Sequence, residues 1–155
     1  MNIIIDRLNK IKSNIDKIGP KKKVKVIAIS KTFTFDHIKP LVDYGHEHFG
    51  ENKVQEALTK WKDIKKINKN LKLHMVGKLQ SNKAKNAVKI FDYIHSLDNQ
   101  KLADVLSKSQ KKLGKSLKYF IQVNIGNEIQ KSGISEDEVL NFYNYCKSLK
   151  LDVVG

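Results

Sequence analysis

The sequence predicts an α/β fold made of repeated strand–helix units, and three observations predict it. Short apolar runs alternate with helical patterns along the whole chain. The first five of these runs start about 20 to 28 residues apart, the size of a βα unit with a right-handed crossover. Polar residues able to do chemistry stand just after strand after strand. With 155 residues, 40% hydrophobic and 30% charged, the chain fits one domain with a real core.

The elements follow in order. An amphipathic helix at about 2–18 carries Ile4, Leu8, Ile11, Ile15 and Ile18 at helical spacing and stops at Gly19-Pro20. The first strand is Val24–Ile29, and a brief second is His46–Phe49. Leu71–Val76, Tyr93–His95 and Leu117–Val123 are the third to fifth. Helices fill the intervals at about 35–44, 52–66, 81–90, 99–113 and 136–148. A sixth apolar run starts at Leu151 and reaches Gly155, so βα units occupy about 24–155 of a domain spanning 1–155.

Five βα units and the start of a sixth fit an open doubly wound sheet or most of a (β/α)8 TIM-type barrel, and periodicity alone does not choose. The strand ends favour the barrel. A nucleotide-binding sheet usually has a glycine-rich turn after its first strand, whereas here Ser30-Lys31-Thr32-Phe33-Thr34 follows, and no P-loop is present. Lys31, then Gly50-Glu51-Asn52, Gly77 to Asn82, Ser96-Leu97-Asp98 and Asn124 all trail strands, and in a parallel barrel such ends converge on one mouth.

Composition narrows the function. Cys146 has no second cysteine, which excludes a CxxC redox pair and a cysteine-rich zinc site and leaves a packing role. No apolar run approaches the roughly 20 residues of a membrane span, and Met1–Asp6 soon turns charged, so a cytoplasmic protein is expected. The net charge of +14 invites a nucleic-acid reading, yet Arg7 is the one arginine among 30 cationic residues and the lysines are scattered. No specific nucleic-acid partner is expected.

Lys31 is the sharpest candidate. It lies directly at the C-terminal end of the first apolar strand, where apolar walls would desolvate its ammonium and favour the neutral, nucleophilic amine. The partner of such an amine is a carbonyl, giving a Schiff base with an aldehyde cofactor or a keto substrate. A water-exposed rim lysine is the alternative.

Four motifs carry a resemblance. Ile27-Ala28-Ile29-Ser30-Lys31-Thr32, His48-Phe49-Gly50-Glu51-Asn52 with Gln55-Glu56, His74 to Lys83, and Ile121-Gln122-Val123-Asn124 with Lys131-Ser132-Gly133 together resemble the pyridoxal phosphate homeostasis protein family. Proteins of that family resemble the N-terminal barrel domain of alanine racemase. The resemblance implies pyridoxal 5′-phosphate (PLP) held as a Schiff base on Lys31, with Asn52 and the segment from Gly77 to Asn82 lining the cofactor mouth. It implies that Asn124 supports the ring face and that Lys131 takes or releases the aldehyde by exchange, although an exposed loop lysine is an equal reading. Ser96 joins these as a candidate contact at the end of the fourth strand, and His74 as either a cofactor contact or a core histidine with a backbone partner.

His46 and His48, two apart on a short strand, mimic a metal-ligand pair, but no third ligand with convincing spacing completes it, so no metal is expected. Glu51 is read as capping the following helix. A (β/α)8 barrel takes about 250 residues, so the chain is expected to be a C-terminally truncated member. The family's remaining segment supplies strands six to eight, the serine- and glycine-rich phosphate loops and an arginine facing the pyridine nitrogen.

The resemblance implies a non-catalytic carrier that buffers PLP in vitamin B6 homeostasis, affects amino-acid and keto-acid balance, and passes cofactor to PLP-dependent apo-enzymes. The alternative is a PLP-dependent amino-acid racemase. Racemisation needs acid/base groups on both faces of the α-carbon, and alanine racemase draws one, a tyrosine, from a second domain. No catalytic residue is therefore assigned.

Overall fold

The computed structural model describes residues 2–126 and 128–155. Helix α1 (Ile3–Ile18) starts where the Asn2 side chain accepts a hydrogen bond from the Ile4 amide, and it ends at Gly19, whose φ of +61° terminates the helix at low cost. Strand and helix then alternate: β1 (Ala28–Ile29), α2 (Phe35–Asp43), β2 (His48–Glu51), α3 (Val54–Ile67), β3 (Lys72–Met75), α4 (Ala84–Ile90), β4 (Tyr93–Leu97), α5 (Gln100–Leu113), β5 (Lys118–Ile121), α6 (Val139–Ser148) and β6 (Asp152–Val153).

All six strands form one parallel sheet in the order β1-β2-β3-β4-β5-β6. A doubly wound sheet reverses at a switch point, where chain neighbours cease to be sheet neighbours. Here none is separated. Every crossover leads the same way round, which is the progression of a barrel wall.

Period-2 alternation divides the sheet between two faces. Phe49, Leu73, Met75 and Tyr119 turn to the helices: the Phe49 ring lies 4.8 Å from Trp61 of α3, and the Tyr119 hydroxyl donates to Gln110 of α5 at 2.8 Å. Phe49, Trp61, Leu73, Met75, Leu102, Leu106 and Tyr119 are buried together, as is Cys146, whose thiol burial pushes up to about 11. That cysteine packs, as its isolation in the sequence suggests.

The strands are shorter or displaced relative to the apolar runs. Val24–Val26 carry strand-like sequence, but β1 pairs only through Ala28 with Phe49 and Ile29 with Gly50, so the preceding residues have no neighbour to bond. The second strand starts at His48, not His46, because the His46 amide instead closes the end of α2 on the Leu41 carbonyl at 2.9 Å. The expected helices at 81–90 and 136–148 each open with a turn of 3₁₀ helix, Ser81–Lys83 and Glu136–Glu138. Such tightened first turns are common at α-helix starts.

Candidate functional site

Parallel pairing brings the C-terminal ends of the strands to one edge. Ser30, directly after β1, donates its amide to the Gly50 carbonyl, and Val76, directly after β3, donates to Glu51. The ends of β1, β2 and β3 therefore lie side by side, with Lys31, Asn52 and Gly77 at their tips. Gly77 is fitted to this junction: a Cβ there would lie 2.4 Å from the Asn52 carbonyl oxygen and 2.9 Å from its Cα. No side chain is compatible with that approach unless the backbone moves.

Lys31 is exposed and takes part in none of the ion pairs among the described residues. The expectation that apolar walls enclose it is corrected here: the described residues leave the Lys31 side chain exposed at the tip of β1. Behind it the chain is held tightly. Ser30 is 1% exposed, and its hydroxyl donates to Glu51 Oε1 at 2.7 Å. Glu51 is fully buried and accepts two further bonds at the same oxygen, from Lys60 Nζ at 2.8 Å and Trp61 Nε1 at 2.9 Å. Lys60 also donates to the Ser30 carbonyl at 2.8 Å. Glu51 therefore does not cap α3. It faces the helix layer with Phe49, and removing one partner of such a buried pair costs about 3–5 kcal/mol. Sequence reasoning missed this cluster, although the alternation Phe49-Gly50-Glu51 carries the signal, since it puts the acid on the side of the core.

Two candidate residues hold buried polar atoms with no hydrogen-bond partner among the described residues, Asn52 Oδ1 and Ser96 Oγ. Such atoms are uncommon and costly. Ser96 lies where the β4–β5 register shifts between Ile94 and Leu97. Asn82, in the 3₁₀ turn before α4, is exposed.

His74 is neither exposed nor satisfied by backbone through its ring. Its Nε2 lies 2.9 Å from His48 Nδ1, and its Nδ1 lies 2.9 Å from His95 Nε2. Three imidazoles thus run across β2, β3 and β4 on the face away from the helices, ending in the Phe120 ring stacked on His95 at 4.4 Å. Tyr93 stacks on His74 at 4.2 Å. Burial, aided by the neighbouring His95 and His48 and by Lys25, lowers His74 to about 3. Burial likewise lowers His48 and His95. Neutral imidazoles each offer one donor and one acceptor, so this chain is satisfied without charge. The pairing of His46 with His48 does not form, because His46 Nε2 engages the His48 carbonyl at 2.9 Å while the His48 ring turns to His74.

Asn124 and Lys131 belong to a second cluster, the loop after β5. The Asn124 amide donates to the Ile134 carbonyl at 2.8 Å, and its side chain donates to the Glu128 carbonyl at 2.9 Å. Gly133 (φ +118°) packs against the Asn124 amide, and its own N–H is held by Asp98 Oδ2 at 3.1 Å, which ties the loop to the end of β4. Lys131 is exposed and pairs with Glu128 at 2.7 Å.

The family model described as the alanine racemase N-terminal domain matches residues 7–155. The chain belongs to that family. It is similar to the pyridoxal phosphate homeostasis proteins of Buchnera aphidicola from Schizaphis graminum (38% identity over 132 residues, 85% of this chain and 56% of that protein) and of Pasteurella multocida (38% over 130 residues, 84% and 56%). The chain spans just over half the length of these curated relatives. Among solved structures, PipY of Synechococcus elongatus PCC7942 with PLP bound superposes with a TM-score of 0.80 at 33% identity, covering 97% of this chain and 69% of that one. An alanine racemase of Clostridium difficile shares the fold at a TM-score of 0.69 and 15% identity, over 97% of this chain and 39% of that one. Both likenesses agree with the sequential parallel sheet described above. Among the described residues no helix is long and apolar enough to cross a membrane.

Proposed function

We propose that this chain binds PLP through Lys31 and serves in the cytoplasm as a carrier of the cofactor rather than as a racemase, supplying PLP-dependent apo-enzymes. The observation that carries the reading is the position of Lys31, an exposed amine outside the ion pairs of the described residues, at the tip of β1 beside the ends of β2 and β3, in a chain similar to a protein solved with PLP bound. When bound, the cofactor supplies an aldehyde that condenses with a primary amine.

The residues present suit such a group. Lys31 offers the amine, and Asn52 Oδ1 and Ser96 Oγ are buried polar atoms still lacking partners, able to orient a polar ligand at the strand ends. Gly77 keeps the β2–β3 junction close, and the Asn124 amide is pinned by the Glu128 carbonyl so that its plane can lie against a ring. His74 is held neutral within the sheet, so it supplies no imidazolium acid at physiological pH. Lys131 is assigned to exchange of the aldehyde after release from Glu128. The naming of the homeostasis relatives supports the carrier over the enzyme.

Two measurements test this. Borohydride reduction after PLP addition, followed by peptide mapping, should fix the label on Lys31. Label spread over lysines in proportion to exposure, or persisting at full yield in Lys31→Ala, refutes the assignment. Solvent exchange of α-protons from a panel of amino acids should stay at background in PLP-loaded protein, and exchange at an enzymic rate would favour the racemase instead.

A further inference from the structure

The network behind Lys31 touches every polar group of the residue before it. The Ser30 amide is fixed on the Gly50 carbonyl, its hydroxyl on Glu51 Oε1, and its carbonyl on Lys60 Nζ. On the other side of Lys31, Thr32 adopts φ +68°, a left-handed conformation that a β-branched residue rarely takes, and the Phe33 amide closes the turn on the Ser30 carbonyl at 3.3 Å. The backbone of Lys31 is thus set between an anchored residue and a strained one, while its side chain is exposed. An ion pair needed only to join β2 to α3 has no need to reach the Ser30 carbonyl. Lys60 Nζ lies 2.8 Å from both that carbonyl and Glu51 Oε1, so one ammonium joins α3, β2 and the end of β1.

We propose that Glu51 and Lys60 are positioning residues for Lys31, holding Ser30 so that the turn through Thr32 sends the Lys31 amine over the ends of β2 and β3. The inference rests on the PLP reading above. Neither residue is assigned a contact with the cofactor, since Glu51 is fully buried and turned to the helix layer beside Trp61, and Lys60 Nζ is engaged by Glu51 and the Ser30 carbonyl. Losing the anchor lets the Ser30–Phe33 turn relax, and the amine then samples directions away from Asn52 and Gly77.

The experiment uses the full chain and compares the native protein with Glu51→Gln, Lys60→Met, Ser30→Ala and Trp61→Phe. Each is titrated with PLP, followed by the visible absorbance of the adduct across pH, by borohydride mapping, and by urea unfolding. Removing a hydrogen bond to a charged group predicts a loss of about tenfold or more in labelling of Lys31 relative to the other lysines in Glu51→Gln and Lys60→Met. The pH midpoint of the adduct's absorbance should shift as well. Ser30→Ala should show the same loss in smaller measure. Trp61→Phe, which removes a donor to Glu51 without touching Ser30, should lose stability and keep the native labelling ratio. If Glu51→Gln fails to fold, Lys60→Met and Ser30→Ala decide on the same readouts. Variants that label Lys31 as selectively as the native chain, or a Trp61→Phe that loses selectivity in step with stability, overturn the positioning role alone. A native chain with no preference for Lys31 overturns the PLP reading and this inference with it.

Discussion

At the scale of single residues, the histidine row has a consequence for acid stability. In the unfolded chain an imidazole titrates near 6.5, whereas His74 is held at about 3 in the fold by burial and by its ring neighbours. Between these values the unfolded state binds the extra proton, so stability rises with pH there. The neutral row contributes fully above about pH 6.5 and its contribution is lost as pH falls below it, with a limiting slope of about 1.4 kcal/mol per pH unit for each fully neutral ring. Urea unfolding at several values between pH 7 and pH 5 should show a falling midpoint, and His74→Leu, though less stable at pH 7, should show a shallower dependence. An unchanged slope in that variant would place the acid sensitivity elsewhere. In the sequence only the period-2 placement of His74 between Leu73 and Met75 is legible. That its partners are other rings depends on the stagger of β2, β3 and β4, which no single strand encodes.

At the scale of elements, the alternation of apolar runs and helical patterns carries the topology, because each crossover must return in the same hand. Strand limits are harder to read. Val24–Val26 have the composition of a strand and lack a partner, whereas Gly50-Glu51 look like a loop and are paired by Val76 and Ser30. Lys31 is visible from its place after the first run. Its anchor is not, since Ser30, Glu51, Lys60 and Trp61 come from three elements and meet only when folded.

The glycines of β2 and of the turn after β3 make a comparative test. A Cβ at Gly50 would meet the far end of the Ile29 side chain at 2.7 Å, and that methyl can swing aside. At Gly77 it would meet the Asn52 backbone. Overpacking usually costs about 1–3 kcal/mol. Gly77→Ala should sit at the upper end of that range and weaken labelling of Lys31, with Gly50→Ala nearer the lower end. Equal unfolding midpoints for the two would contradict this account of the junction.

At the scale of the whole molecule, part of the charge of +14 gathers around one cleft lined by Lys62, Lys65, Lys66, Lys69, Lys89 and Lys115, and part of it is neutralised within the fold. Several lysines serve the fold itself: Lys60 is paired with Glu51, Lys65 with Asp92, and Lys115 donates to the Lys89 carbonyl at the end of α4. Affinity for DNA or RNA should therefore be weak, lack sequence preference and fall steeply between about 50 and 200 mM salt, as counterion release requires. A competitor-resistant complex at physiological salt would reverse that reading.

The short ladder of β1 also bears on how the protein opens. Ala28 and Ile29 are matched to β2 alone, whereas β2 and β3 are matched through four consecutive residues from His48 to Glu51. Local opening takes the least-tied segments first. Amide exchange should then be faster along β1, as along β6 with its equally short ladder, than along β2 in the layer of Phe49, Leu73 and Met75. A molecule that bridges Lys31 to the tips of β2 and β3 would add its binding free energy to a short seam of the sheet. Ligand binding and rim closure would become one equilibrium, and the rate at which such a molecule leaves would be bounded by the rate at which that seam comes apart.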